Sequence, residues 1–236
     1  MQQIPENYPE EYIKWSVHFF WRDFFVTPDV LIPRLETESL VRRARLFLKW
    51  KKEENSRNET ENSVWDVKNI IIDIGCGSGV IGTSVADLVD EVIFLDISPT
   101  ALKVAEKNFR THFPEKKAQF IISDLLSNLP KFEENTEVLF VTNLPYIKDE
   151  DWKNMSEDTI HEPKLALFGW EKTGFELYEK LFTQFALLPF SIHCLFEFGF
   201  DQRQIAETEL EKYPQWKYSF FADYAGTERF GEITKN

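Results

Sequence analysis

Positive charge is in short supply in this chain: 27 Lys and Arg stand against 40 Asp and Glu, a net charge of −13. A nucleic-acid backbone rewards clustered cations, so the balance weighs against a protein built to grip DNA or RNA. Cysteine is scarcer still. The only two, Cys76 and Cys194, sit far apart in apolar stretches with no metal-binding spacing around them. That excludes a disulfide scaffold and reads as a pair of reduced core residues in a cytoplasmic protein. The four histidines, His18, His112, His161 and His193, form no pair at helical spacing, so no metal site is expected. No charged-then-apolar leader opens the chain and no apolar run approaches membrane-spanning length, so no membrane partner is expected either. Over residues 51–63 there is not one apolar side chain, and a solvated loop is expected there.

Against these absences stands one stretch that organises the rest, Ile-Ile-Ile-Asp-Ile-Gly-Cys-Gly-Ser-Gly-Val-Ile-Gly over residues 70–82. Apolar residues around Asp73 predict a buried strand, Gly75, Gly77 and Gly79 a tight turn, and Val80, Ile81, Val85 and Leu88 an amphipathic helix. Strand, glycine turn and helix start together form a nucleotide-type site. In the dinucleotide fingerprint the third glycine comes three positions after the second, where this chain has Val80; its third glycine is Gly79. Asp96 ends a second strand and is placed to accept hydrogen bonds from both hydroxyls of a ribose. Neither feature separates the ribose of NAD from that of S-adenosylmethionine. The shifted glycine and a third strand-end acid, Asp124, favour the latter.

At 236 residues the chain fits one well-buried domain and shows no internal repeat. Periodicity predicts strands over 70–74, 92–95, 120–122, 138–141 and 192–198, and helices over 79–88, 99–109, 175–187 and 202–210. Two terminal strands are predicted near 216–221 and 229–233. This alternation gives an α/β fold: a doubly wound, mostly parallel sheet with helices on both faces and a C-terminal antiparallel edge. Before it, Tyr12, Trp15 and Phe19 have the spacing of one short helix. Residues 24–32 read as two short strands around Thr27-Pro28-Asp29, and Leu40, Val41, Ala44, Phe47 and Leu48 mark a helix face.

The second chemical element is Asn143-Leu144-Pro145-Tyr146, after the strand over 138–141. Asn143 offers an acceptor oxygen, Leu144 a backbone carbonyl and Tyr146 a flat wall, and two acceptors side by side suit a planar amino group with two N–H bonds. Such a nitrogen is a feeble nucleophile. Holding both its hydrogens aims its out-of-plane density at a sulfonium methyl, so positioning rather than a strong base lowers the barrier.

These residues resemble the HemK/PrmC family of release factor glutamine methyltransferases, Rossmann-like class I S-adenosylmethionine-dependent enzymes. Val30-Leu31-Ile32-Pro33-Arg34-Leu35-Glu36-Thr37-Glu38 is similar to the family's L-I-P-R-P-E-T-E segment, Asp73 to Gly79 to its D-x-G-x-G-S-G loop, and Asn143 to Tyr146 to its N-P-P-Y signature. Glu162-Pro163-Lys164-Leu165-Ala166-Leu167 and Ala225-Gly226-Thr227-Glu228-Arg229 resemble later family segments. The resemblance implies S-adenosyl-L-methionine as cofactor, held by Asp73, Gly75, Cys76, Gly77, Ser78, Gly79, Asp96 and Asn143, with adenine-side contacts at Asp124 and Leu125. It implies catalytic roles for Asn143, Leu144, Pro145 and Tyr146, and as substrate the glutamine amide in the Gly-Gly-Gln loop of a peptide chain release factor.

There are departures from the family pattern. Leu144 and Leu35 each stand where its motifs have proline; Leu144 keeps the carbonyl acceptor but loses the fixed φ, so a less preorganised loop is expected. Trp170 stands where the family has a small residue, which would reshape one cavity wall. The family's N-terminal helical bundle is expected to be reduced or absent, with 1–35 a short helix and β-hairpin segment and 36–236 the methyltransferase domain of a monomer. Docking then uses another surface, such as the aromatic 1–21 segment, or the substrate differs. The rival readings are an amino-methyltransferase acting on adenine or guanine of nucleic acid, and a binding protein that keeps the donor without transferring its methyl group.

Overall fold

The computed structural model describes residues 5, 7–58, 67–133, 135–155, 159–169 and 172–236. The solvated-loop expectation for 59–63 and the expectation for Trp170 lie outside those residues. A short helix α1 (Glu10–Lys14) leads into a hairpin of β1 (Ser16–Phe19) and β2 (Arg22–Phe25), and α2 (Thr37–Asn58) follows. The main sheet is built from β3 (Lys68–Ile74), β4 (Glu91–Asp96), β5 (Lys117–Ile122), β6 (Thr136–Asn143), β7 (Ile192–Glu197), β8 (Lys217–Ala222) and β9 (Glu228–Lys235). Its connections carry α3 (Val80–Val85), α4 (Pro99–His112), α5 (Lys164–Leu167), α6 (Glu176–Leu187) and α7 (Arg203–Leu210).

The strand order is β5-β4-β3-β6-β7-β9-β8; β3 to β7 run parallel, and β9 is antiparallel to both β7 and β8. The predicted α/β fold with its antiparallel edge is the observed one. Unbroken apolar strands follow from burial on both faces. Ile71, Val92, Phe94, Leu139, Val141 and Leu195 join α2, α3 and α4 in one core cluster. Their neighbours Ile70, Ile72, Ile74, Ile93, Leu95, Phe140 and Phe196 pack with α6 and α7 in the other. Cys76 belongs to the first cluster and Cys194 to the second, both unpaired. The Ser98-Pro99 helix start forms as its residues predict: the Ser98 side chain caps α4 by accepting the Ala101 N–H at 3.2 Å.

Two local expectations are corrected. The hairpin lies over residues 16–25 rather than 24–32, and the helix before it stops at Lys14 instead of reaching Phe19. Phe19 pairs with Arg22, leaving Phe20 and Trp21 as a two-residue turn with φ of 42° and 66°. Glycine or asparagine normally supplies such angles, so two aromatics give no turn signal. Here Phe20 is buried and its N–H is held by the Glu38 carboxylate at 3.0 Å. The second correction concerns α2, which runs on through Lys51 to Asn58. Lys, Glu and Arg are good helix formers, so a helix nucleated by its buried Leu40, Val41, Ala44 and Leu48 face extends without further apolar residues.

Candidate active site

In this strand order the chain reverses its direction of travel between β3 and β6. The crevice beyond the carboxyl ends of those two strands is where a doubly wound sheet binds its ligand. Ile74 is paired with Leu95 on one side and Thr142 on the other, and Asn143 with Glu197. Gly75, Asp96, Asn143 and Glu197 therefore share one rim. A cavity of about 470 Å³ opens there.

Gly75, Cys76, Gly77 and Ser78 line the cavity, as do Asp96, Asp124 and Leu125, and across from them Asn143, Leu144 and Pro145. Three residues expected at the site face elsewhere. Asp73 is buried, and its Oδ2 accepts the Gly82 N–H at 2.8 Å, bracing the start of α3. Gly79 ends the turn in the left-handed region just before α3, packed toward Ala105. The ring of Tyr146 lies toward Gly199, so the expected flat wall is not part of the lining.

The glycine turn is tied to the end of β4: the N–H groups of Gly75 and Cys76 both reach the Leu95 carbonyl, at 2.8 and 3.1 Å. Gly75 has φ +64°, and a Cβ there would sit 2.8 Å from Leu144 Cδ2, so glycine is needed for conformation and for room. The two rim loops thus touch. Asp96 Oδ2 accepts the Gly77 N–H at 2.9 Å and Oδ1 the Ser98 N–H at 2.8 Å, leaving each oxygen a further lone pair. Burial raises the Asp96 carboxyl above its ordinary range while the Ser98, Gly77 and Ile97 N–H groups pull it back. Burial also pushes Asp73 up to about 8, against the Gly82 N–H and reinforced by the charge of Asp96.

Across the cavity, Asn143 Nδ2 donates to Thr37 Oγ1 at 3.2 Å. That bond turns the other atom of the carboxamide, Oδ1, away from Thr37 as a free acceptor. Thr37 and Asn143 also stand beside Glu197, whose two oxygens are buried without a hydrogen-bond partner among the described residues. Burial lifts the Glu197 carboxyl to about 7, with Thr37, Arg229 and Asn143 drawing it the other way. The N–H that leucine brings in place of a proline ring at position 144 is bonded to the buried Tyr178 hydroxyl at 3.0 Å.

Two further features complete the walls. Leu125 holds φ at +54°, a conformation that costs a non-glycine residue about 1–2 kcal/mol. The turn that holds it is closed by the Ser123 hydroxyl, which donates to the Leu125 carbonyl and accepts the Asn128 N–H. Asp124 lines the cavity with its carboxylate paired to Lys180 at 2.5 Å. Beside the cavity, Glu162 joins the two family-like segments: it accepts the Ile32 N–H at 2.9 Å and pairs with the cavity-lining Arg34 at 2.5 Å while almost wholly buried itself. Thr37, Tyr178, Glu197 and Glu162 carry no spacing signal in the sequence. Thr37 and Glu162 lie within motifs singled out there, but their partners stand 106 and more residues away.

A methyltransferase domain family matches residues 71–160. The chain is 32% identical over 235 residues to the release factor glutamine methyltransferase of Bacillus anthracis, covering 97% of this chain and 77% of the relative. It is 32% identical over 237 residues to the enzyme of the same name from Flavobacterium psychrophilum, covering 98% and 77%. Over 167 residues it is 40% identical to that of Leptospira interrogans, covering 69% and 53%. Among solved structures, the ribosomal protein L11 methylase of Lactobacillus delbrueckii subsp. bulgaricus aligns with TM-score 0.52 and 15% identity over 86% of this chain and 80% of its own. A human methyltransferase 10 domain containing protein aligns with TM-score 0.54 and 14% identity over 92% and 89%. At such identities the structural likeness speaks for the fold alone.

Proposed function

Because the chain belongs to the release factor glutamine methyltransferase family and so is a methyltransferase, we propose that it transfers a methyl group from S-adenosylmethionine to the side-chain amide nitrogen of the glutamine in the Gly-Gly-Gln loop of a peptide chain release factor. The observation that carries this reading is the adjacency of two loops on one rim: Gly75 and Asn143 each directly follow one member of the register pair Ile74 and Thr142.

The residues present fit the donor. A side chain at Gly77 would meet nothing within 4 Å, so the turn leaves open space beside its backbone. Asp96 keeps lone pairs for a ribose beyond its two N–H partners, and Val30, Ile97 and Leu125 supply apolar surface for a purine. When bound, S-adenosylmethionine supplies an electrophilic methyl group on a sulfonium sulfur.

In this reading Asn143 Oδ1 and the Leu144 carbonyl accept the two N–H bonds of the primary amide, with Thr37 fixing which atom of Asn143 faces the substrate. Pinning the amide plane replaces a strong base before attack, because the amide nitrogen needs direction first; the proton that the methylated nitrogen then sheds as it returns to a neutral amide passes to water. Arg34 and Pro163 line the cavity, and Glu162 pairs with Arg34 behind them. Residues 36–236 then form the catalytic domain. Ahead of it in the chain, Tyr12, Val26, Val30 and Ile32 pack against Ala101 and Val104 of α4.

Mass spectrometry of release factor incubated with the chain and S-adenosylmethionine tests the reading. The expected result is a gain of one methyl that is lost when the loop glutamine is replaced by glutamate. No gain, or labelling of nucleic acid instead, rejects it. Asp96→Ala is expected to abolish binding of S-adenosylhomocysteine in calorimetry. Asn143→Ala should leave that binding intact and remove turnover.

A further inference from the structure

Behind the 143–146 loop stands a buried side chain that hydrogen-bonds its backbone at Leu144. Tyr178, in α6, is fully buried; its hydroxyl accepts the Leu144 N–H at 3.0 Å and donates to the carbonyl of Glu197 at the end of β7. One phenol thereby ties the residue after Asn143 to the neighbouring strand. The N–H it captures exists only because residue 144 is leucine, since proline carries no N–H and sets φ through its ring. Pro145 offers no donor either, so Leu144 supplies the only backbone N–H between Asn143 and Tyr146. Leu144 is buried, and a buried N–H must find a partner. Its side chain belongs to the apolar cluster containing Phe175 and Tyr178 and approaches Gly75 on the donor loop.

We propose that Tyr178 is a positioning residue for methyl transfer: by holding the Leu144 N–H it restrains this loop as a proline ring would, setting where the Leu144 carbonyl and the Asn143 carboxamide point. The proposal rests on the reading above, in which this loop holds the substrate amide. It assigns the tyrosine no contact with substrate or donor.

Tyr178→Phe keeps the ring and deletes the oxygen. The expected result is a fall in kcat toward release factor of about tenfold or more, the scale on which small misplacements act. The Kd for S-adenosylhomocysteine should stay within about twofold, because the interaction lost is one that serves the acceptor side. Hydrogen–deuterium exchange at the Leu144 amide should become faster. Adding Leu144→Pro to Tyr178→Phe removes the orphaned donor and restores a restraint on φ, and should recover most of the lost kcat. An unchanged kcat, an equal loss of donor affinity, or a double variant no faster than Tyr178→Phe overturns the proposal. A wild-type chain that transfers nothing to release factor rejects the proposed substrate instead. Amide exchange still decides the anchor in that case, because exchange at Leu144 that is the same in both proteins means the hydroxyl holds nothing.

Discussion

Thr37 accepts from Asn143 Nδ2, and in the proposed reaction a carboxamide turned the other way would offer N–H to the substrate's N–H. Thr37→Val removes the acceptor for Asn143 Nδ2 and lets the group turn over. Single-turnover methyl transfer should slow by about tenfold while donor affinity holds, and Thr37→Ser should keep the wild-type rate. Asp73 makes a prediction about stability. Its carboxyl titrates near 8 in the folded chain and near 3.8 when unfolded, so the unfolded state ionises first. This group's contribution is complete below about pH 4 and is lost as pH rises toward 8. Asn at 73 still accepts the Gly82 N–H without the charge. Asp73→Asn should therefore gain on wild type between pH 5 and 8, by about 1 kcal/mol or more in urea midpoints. Donor-side residues such as Asp96 were legible in the sequence because they stand at strand ends beside a glycine turn. Thr37, Tyr178 and Glu197 were not, since each matters only through a partner that the sheet brings to it from a distant part of the chain.

At the scale of elements, the glycine turn and the acceptor loop behave as one unit because Gly75 and Leu144 are in contact. Gly75→Ala forces a non-glycine residue to φ +64° and drives a methyl toward Leu144 Cδ2. A loss of about 2–3 kcal/mol is expected in denaturant unfolding. Donor affinity should fall with it, and so should transfer by whatever enzyme stays folded. The buried contact between Glu162, Arg34 and the Ile32 N–H is the corresponding unit beside the cavity. Glu162→Ala leaves that N–H unpaired and should cost about 1–3 kcal/mol, measured by thermal unfolding. The parallel strands were readable because their two buried faces make unbroken apolar runs. The turn at Phe20 and Trp21 and the polar end of α2 were hidden for opposite reasons. The turn takes its angles from tertiary packing rather than from turn residues, whereas the helix end needs only propensity once Leu40 to Leu48 have nucleated it.

For the molecule as a whole, the two core clusters share one sheet, so unfolding is expected as a single transition seen alike by tryptophan fluorescence and far-ultraviolet circular dichroism. A ligand seated on the rim stabilises all of it. S-adenosylhomocysteine at a hundred times its Kd should add about 2.7 kcal/mol and raise Tm by roughly 5–10 °C, and Asp96→Ala should abolish the shift. The family-wide fold was legible from alternation alone, while the pairing of the rims was not, because periodicity says nothing of strand order. That order has a consequence for how the protein comes into being. Gly75 and Asn143 are side by side in space, yet α3, β4, α4 and β5 are all synthesised between them. A nascent chain emerging from the ribosome therefore holds only one side of the crevice until β6 has been made and has inserted beside β3.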